Sequence, residues 1–208
     1  MERRRTPEAV LTLLWVAAAI YFGAKSLEPD EEVDLDSLPI PTSISDVQGV
    51  PNLLRVSEHL LRGAQPNLVG FRALKALGVK TDLNLRHYHS DRYMIDRVGL
   101  DYEHIDVKSW SLHAGEVVRF LEIVTDDRTK TPVFIHCHDG IGRTGVFCAM
   151  YRIVVQGWTK EAALKEMIEF GTWDEKGLRK MLERIDGMDI DLMKRRFGPS
   201  NRRVGASE

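Results

Sequence analysis

The segment Val133-Phe134-Ile135-His136-Cys137-His138-Asp139-Gly140-Ile141-Gly142-Arg143-Thr144-Gly145 decides how this chain is read. Its first half, Pro132–His136, is a short apolar run of the kind that forms a strand buried in a parallel sheet. Its second half leads into an apolar helix expected over Thr144–Gln156. The loop 137–143 is therefore a strand-to-helix turn, where unpaired helix N–H groups and the helix dipole favour an anion. Gly140 and Gly142 are expected to permit a sharp turn with its amides facing inward. Arg143 can offer its planar fork to two phosphate oxygens. At the centre lies Cys137, whose thiolate is the nucleophilic form. Oriented amides, a helix N-terminus and a guanidinium together bring a thiol from about 8.5 down to about 3.5–7.5 in comparable sites. The same donors suit the equatorial oxygens of a transferring phosphoryl group. Five residues between Cys137 and Arg143 wrap the chain once around such a group.

Outward from this loop the pattern alternates strands with helices. Leu53–Val56 and Leu60–Arg62 read as short strands joined by a turn at Ser57-Glu58-His59. Asn67 is placed to cap a helix running to Leu77, with Gly78 as its stop. Strands are expected at Val79–Leu85 and Asp101–Val107, and helices at Ser90–Val98, Glu116–Val124, Thr159–Phe170 and Glu175–Ile185. That order predicts an α/β fold: a mostly parallel central sheet flanked by helices.

The HC-x5-RTG signature resembles that of the cysteine-dependent protein tyrosine and dual-specificity phosphatases. Leu61-Arg62-Gly63-Ala64-Gln65-Pro66, Leu74–Thr81 and Asn84-Leu85-Arg86 resemble the compact bacterial branch. Ala149–Trp158, with Glu161–Leu164 and Glu166-Met167, is similar to the exported, TpbA-like members. The likeness covers roughly residues 52–170. It implies a dual-specificity-phosphatase-like fold and a phosphorylated protein as substrate: phosphotyrosine, with phosphoserine or phosphothreonine in a wider specificity. It also implies a two-step reaction through a phosphocysteine on Cys137, without metal or other cofactor. Arg143 then binds substrate and transition state, residues His138, Asp139, Gly140, Ile141 and Gly142 form the rest of the phosphate-binding loop, and His136 and Thr144 support the thiolate.

The proton donor departs from the family pattern. Counting back from Cys137 without gaps puts the position of the family's aspartate near Trp110, which cannot serve. Asp106 is the nearest carboxyl and the first choice. Asp139, inside the loop, needs a raised pKa to act beside a phosphate, and His113 is a third candidate. Arg62 and Arg86 end strands, where they either border the pocket or form surface ion pairs. His87 and His89 lack companions at metal-ligand spacing, and Cys148 fits a core helix. Two alternative functions stay open: an inositide or inositol-phosphate phosphatase, and a pseudophosphatase that binds phosphate without turnover.

The N-terminal quarter has a different character. Val10–Ala24 reads VLTLLWVAAAIYFGA, without a charge, and follows Arg3, Arg4 and Arg5. Those flanks predict export, with the domain in the periplasm or anchored outside the cytoplasm through residues 10–24. Ala24-Lys25-Ser26 is compatible with cleavage of a signal peptide over 1–26. Residues 27–50 hold seven acids, no base and three prolines, and read as an acidic linker. The phosphatase domain is then expected over 51–193 and a basic, frayed tail over 194–208.

Composition narrows the rest. At 208 residues the chain fits one domain with appendages. Two cysteines exclude a disulfide framework, and no Cys/His spacing matches structural zinc. A net charge of −2 gives no reason to expect nucleic acid.

Overall fold

The computed structural model describes residues 42–43, 47–109, 111–171 and 175–199. Six strands form one sheet: β1 (Thr42–Ser43), β2 (Leu54–Arg55), β3 (Leu60–Gly63), β4 (Thr81–Arg86), β5 (Asp101–Val107) and β6 (Val133–His136). Their order is β1-β2-β3-β6-β4-β5. The four strands β3-β6-β4-β5 are parallel, and β1 and β2 add an antiparallel edge. Among the described residues, seven helices connect and cover them: α1 (Leu68–Ala76), α2 (Arg92–Val98), α3 (Ala114–Thr125), α4 (Gly142–Val154), α5 (Lys160–Phe170), α6 (Glu175–Asp186) and α7 (Ile190–Phe197).

Parallel pairing puts Leu61 beside Phe134, and Asn84 beside His136. Because side chains alternate across a strand, one sheet face carries Leu61, Phe134, His136, Asp82 and Asn84. Its apolar part packs with Phe71 and Leu74 of α1 and with Ile95 and Val98 of α2 in one buried cluster. Leu83, Leu85, Val133 and Ile135 are fully buried at the alternate positions of β4 and β6. The helix signals act where the sequence places them: Asn67 accepts from the Gly70 amide, Thr159 from the Ala162 amide, and Gly99 ends α2 at φ 72°.

A buried ion pair ties α4 to α5. Arg152, 1% exposed, donates from Nε and Nη2 to both carboxylate oxygens of Glu166, at 2.9 and 2.7 Å. Its Nη1 also donates to the Val56 carbonyl. Removing one partner of such a pair costs about 3–5 kcal/mol, because the other charge stays buried alone.

The structure corrects two boundaries. The acidic linker was expected to run to residue 50, yet Thr42–Ser43 pairs with β2 and Val50 is buried in the core. The frayed tail was expected from 194, but α7 continues to Phe197. Met193 and Phe197, four apart on one helix face, are both buried. Lys194, Arg195 and Arg196 lie in its last turn, where cations complement the dipole. Three bases in a row suggested a solvated tail and concealed that spacing. The apolar run 10–24, Trp110 and most of the acidic stretch lie outside the described residues. Among those described, no helix is long and apolar enough to cross a membrane.

Candidate active site

The loop 137–141 leaves the C-terminal end of β6 and runs directly into α4, which begins at Gly142, two residues earlier than expected. Arg143 is therefore in the first helical turn, not at the end of a loop. Its Nη1 donates to the carbonyls of Leu85 and Val107, both at 3.1 Å. Leu85 sits at the register break between β4 and β5. A bulge of this kind releases a carbonyl from the ladder and is common beside active sites. With Nη1 anchored to the ends of two strands, the guanidinium keeps its other donors for a ligand.

Gly140 meets two requirements that only glycine satisfies. Its φ is 71°, and an added Cβ would lie 2.4 Å from the carbonyl carbon and oxygen of Gly63. Gly142 does not share them: it is helical, and a Cβ there would meet nothing. The reading of two turn glycines thus reduces to one.

The loop is held from outside by groups on β3, on the β3–α1 connection and on the turn before β2. Arg62, 3% exposed, donates from Nη2 to the Gly140 carbonyl at 2.6 Å and stacks its guanidinium on Phe170. The Gln65 amide donates to the His138 carbonyl, and Asn52 Nδ2 to the Asp139 carbonyl. Each of these ties turns a carbonyl outward, so the loop's amides face the interior of the turn. Arg62 is thus a buried buttress and not a surface ion-pair partner. Arg86 belongs to the same support, donating to Gln65 Oε1 at 2.5 Å.

Cys137 is 3% exposed and unbridged. Burial pushes its thiol pKa up, but the Thr144 hydroxyl and amide, the Arg143 charge and the Gly140 amide outweigh it, and the net direction is down. The fully buried Thr144 hydroxyl makes no hydrogen bond to oxygen or nitrogen, and its favourable contact is with that sulfur. Cys148 behaves oppositely: burial dominates and holds its thiol up, in the inert form of a core cysteine.

Beneath the loop lies a buried charge cluster that the sequence reading did not pick out. His136, Asp82 and Asp91 are all inaccessible or nearly so, with His136 Nε2 3.3 Å from one oxygen of each carboxylate. His136 Nδ1 lies 3.0 Å from the Cys137 carbonyl. Burial lowers the imidazole pKa, yet the two carboxylates outweigh that and push it up to about 10. Asp82, also raised by burial, is drawn back down chiefly by His136. Among the described residues these three alone are spaced to share a cation, and the imidazolium already supplies positive charge there. A signal existed in β4: Thr-Asp-Leu-Asn-Leu-Arg puts Asp82 and Asn84 at alternate positions of a buried strand, so one face had to be polar.

At the rim, Asp106 ends the exposed side of β5, one residue before the Val107 carbonyl that holds Arg143. Its carboxylate, 52% exposed, pairs with His87 Nδ1. Slight burial raises its pKa, but hydrogen bonds from His87 and the Tyr88 amide bring the net direction down. Tyr88 itself takes φ 61°, in the left-handed region. Asp139 points to solvent and pairs with His138 at 2.6 Å. His113 starts α3 and contacts Ser111 Oγ.

This geometry has known counterparts. Residues 45–181 match the model of a family described as a DSP-PTPase phosphatase fused to NAD+ kinase. The chain is 39% identical over 194 residues to the dual specificity protein phosphatase TpbA of Pseudomonas aeruginosa PAO1, covering 90% of this chain and 84% of that one. The crystal structure of P. aeruginosa TpbA superposes with a TM-score of 0.67 at 32% identity, covering 78% of this chain and 98% of that one. A TpbA structure with a cysteine-to-serine change and bound pTyr superposes at 0.62 with 34% identity, over 70% of this chain and 90% of that one. The core catalytic domain of the PP-IP phosphatase SIW14 from S. cerevisiae, 21% identical, shares the fold at a TM-score of 0.60, over 72% and 93% of the two chains.

Proposed function

The chain belongs to the DSP-PTPase family of cysteine-dependent phosphatases, and from that premise we propose that it hydrolyses phosphotyrosine in proteins outside the cytoplasm, with phosphoserine and phosphothreonine as further substrates. As a protein phosphatase it is a phosphoric monoester hydrolase. The observation that carries the reading is the strand-to-helix turn itself, with Cys137 buried after β6, Gly140 at φ 71° and Arg143 anchored by two strand carbonyls in the first turn of α4.

The Cys137 thiolate attacks phosphorus while the bond to the leaving oxygen breaks. Arg143 and the inward loop amides hold the three equatorial oxygens, whose charge grows in the transition state. The leaving oxygen takes the proton of the His87–Asp106 pair, leaving a phosphocysteine. Water then attacks phosphorus, returns a proton to that pair, and the P–S bond breaks to give inorganic phosphate and the thiolate. In the free protein the Asp106 carboxylate is held ionised. A phosphate dianion beside it acts in the opposite direction and favours the protonated pair. Asp106 is accordingly the proposed acid, with His87 as its partner.

Export is proposed on the flanks of residues 10–24: three arginines before the run and acids after it. Fusing residues 1–50 to a reporter active only outside the cytoplasm tests this, and an inactive reporter would overturn it. The catalytic reading is tested by steady-state hydrolysis of p-nitrophenyl phosphate and a phosphotyrosine peptide by the full chain. Turnover that vanishes in Cys137→Ser supports it. Turnover of inositol phosphates with none on phosphopeptides would overturn the protein substrate.

A further inference from the structure

The charge cluster under the loop poses a proton-counting problem. His136 faces two acceptors at once: the Cys137 carbonyl on Nδ1 and the carboxylates of Asp82 and Asp91 on Nε2. A neutral imidazole carries one N–H, so it can satisfy one side and must turn a lone pair toward the other. Only the doubly protonated ring donates to the carbonyl and also presents positive charge to both carboxylates, which face Nε2 at 3.3 Å as an ion pair without hydrogen-bond geometry. We propose that Asp82 and Asp91 are positioning residues for Cys137: by fixing His136 as an imidazolium, they reserve its Nδ1–H for the Cys137 carbonyl and hold the phosphate loop with its amides inward.

The surroundings agree with that assignment. The ring is fully buried between Phe134, at a centroid distance of 5.6 Å, and the edge of Phe71, so no water can serve as an alternative partner. Asp91 is itself fixed, accepting from Gln65 Nε2 at 2.9 Å and from Asn84 Nδ2 at 2.7 Å. The Asp91 amide donates to the Tyr102 hydroxyl, which also accepts from Asn84. Gln65 in turn links this cluster to the loop through the His138 carbonyl and to Arg86. His104 on β5 is the other titratable group that acts on Asp82. Asp91 therefore reaches the loop by two routes, one through His136 and one through Gln65. This role rests on the phosphatase reading only in that Cys137 is the nucleophile.

Asp82→Asn removes one carboxylate and leaves the shape. The single remaining carboxylate holds the second proton less strongly, so His136 becomes neutral within the working pH range and the loop loses its tie there. The ratio of variant to wild-type kcat/KM is then expected to fall tenfold or more between pH 6 and pH 8.5. A merely structural loss gives a ratio that does not change with pH. Asp91→Asn is expected to show the same fall on top of a pH-independent loss through Gln65. Side-chain 15N spectra of histidine-labelled full chain provide a readout free of folding failure in the variants: His136 should be an imidazolium at pH 7 and still at pH 8.5. The rate of Cys137 alkylation by iodoacetamide across the same pH range follows the thiolate without requiring turnover, so an inactive enzyme still yields an answer. A neutral His136 at pH 7, a constant activity ratio, or a stoichiometric metal ion bound in purified protein would each overturn the proposal.

Discussion

The site has a floor and a rim, and each contains a histidine paired with a carboxylate. On the floor, His136 and its two aspartates are sealed from solvent, and Asp91 is held by Gln65 and Asn84. At the rim, Asp106 is half exposed and Asp139 almost three-quarters exposed. The same residue types serve different ends. Burial makes the floor pair an element of structure, since separating those charges leaves one unpaired in a low-dielectric interior. Exposure of the Asp106 carboxylate makes that group cheap to perturb, although its partner His87 is mostly buried. Substitutions on the floor should therefore cost stability together with activity, whereas rim substitutions should change chemistry alone.

The largest effect is expected from Gly140→Ala. Both the left-handed φ and the 2.4 Å approach to Gly63 forbid a Cβ, so the loop must shift. We expect kcat/KM to drop roughly a thousandfold and unfolding free energy by about 2 kcal/mol or more, read by steady-state kinetics and denaturant titration. Asp106→Asn should lower kcat on a phosphotyrosine peptide about a hundredfold while leaving the unfolding midpoint unchanged. A large stability loss there would abolish the distinction between rim and floor.

Thr144→Val removes a hydroxyl from the thiolate and should move the acid limb of Cys137 alkylation to higher pH. The rate is expected to be roughly tenfold lower at pH 5, the scale of a hydrogen bond to a charged group, and close to wild type once the thiol is fully ionised.

The His136 cluster gives the floor a pH signature in denaturant unfolding. Its folded pKa of about 10 exceeds the ordinary 6.5, so the folded state binds more protons. That contribution to stability is complete below pH 6.5 and is lost as pH rises toward 10. A midpoint that climbs over this range would contradict the assignment. Asp139→Asn should have the smallest effect, within about twofold on kcat/KM, because its carboxylate faces solvent.

Much of this was legible in the chain. The apolar run into Cys137, the spacing to Arg143 and the cap at Asn67 act locally, through backbone geometry that neighbouring residues set. The helix at 190–197 escaped because its three bases looked like a tail while its two buried residues carried the signal. Asp82 and Asp91 escaped because their partner lies more than forty residues away. A carboxylate on a strand or at a helix start has no visible role until pairing brings a histidine beside it.

The sequence by itself determined the local constellation: a cysteine, a turn glycine and an arginine within seven residues, since their juxtaposition needs only the strand-to-helix turn they occupy. The tertiary structure alone decided which groups hold that loop in place. Arg62, Gln65, Asp82 and Asp91 come from β3, β4 and the segments that follow them. Only the parallel pairing of those strands with β6 brings Arg62 and Gln65 within hydrogen-bonding distance of the loop and sets Asp82 and Asp91 against His136, and only burial gives the charges among them their strength.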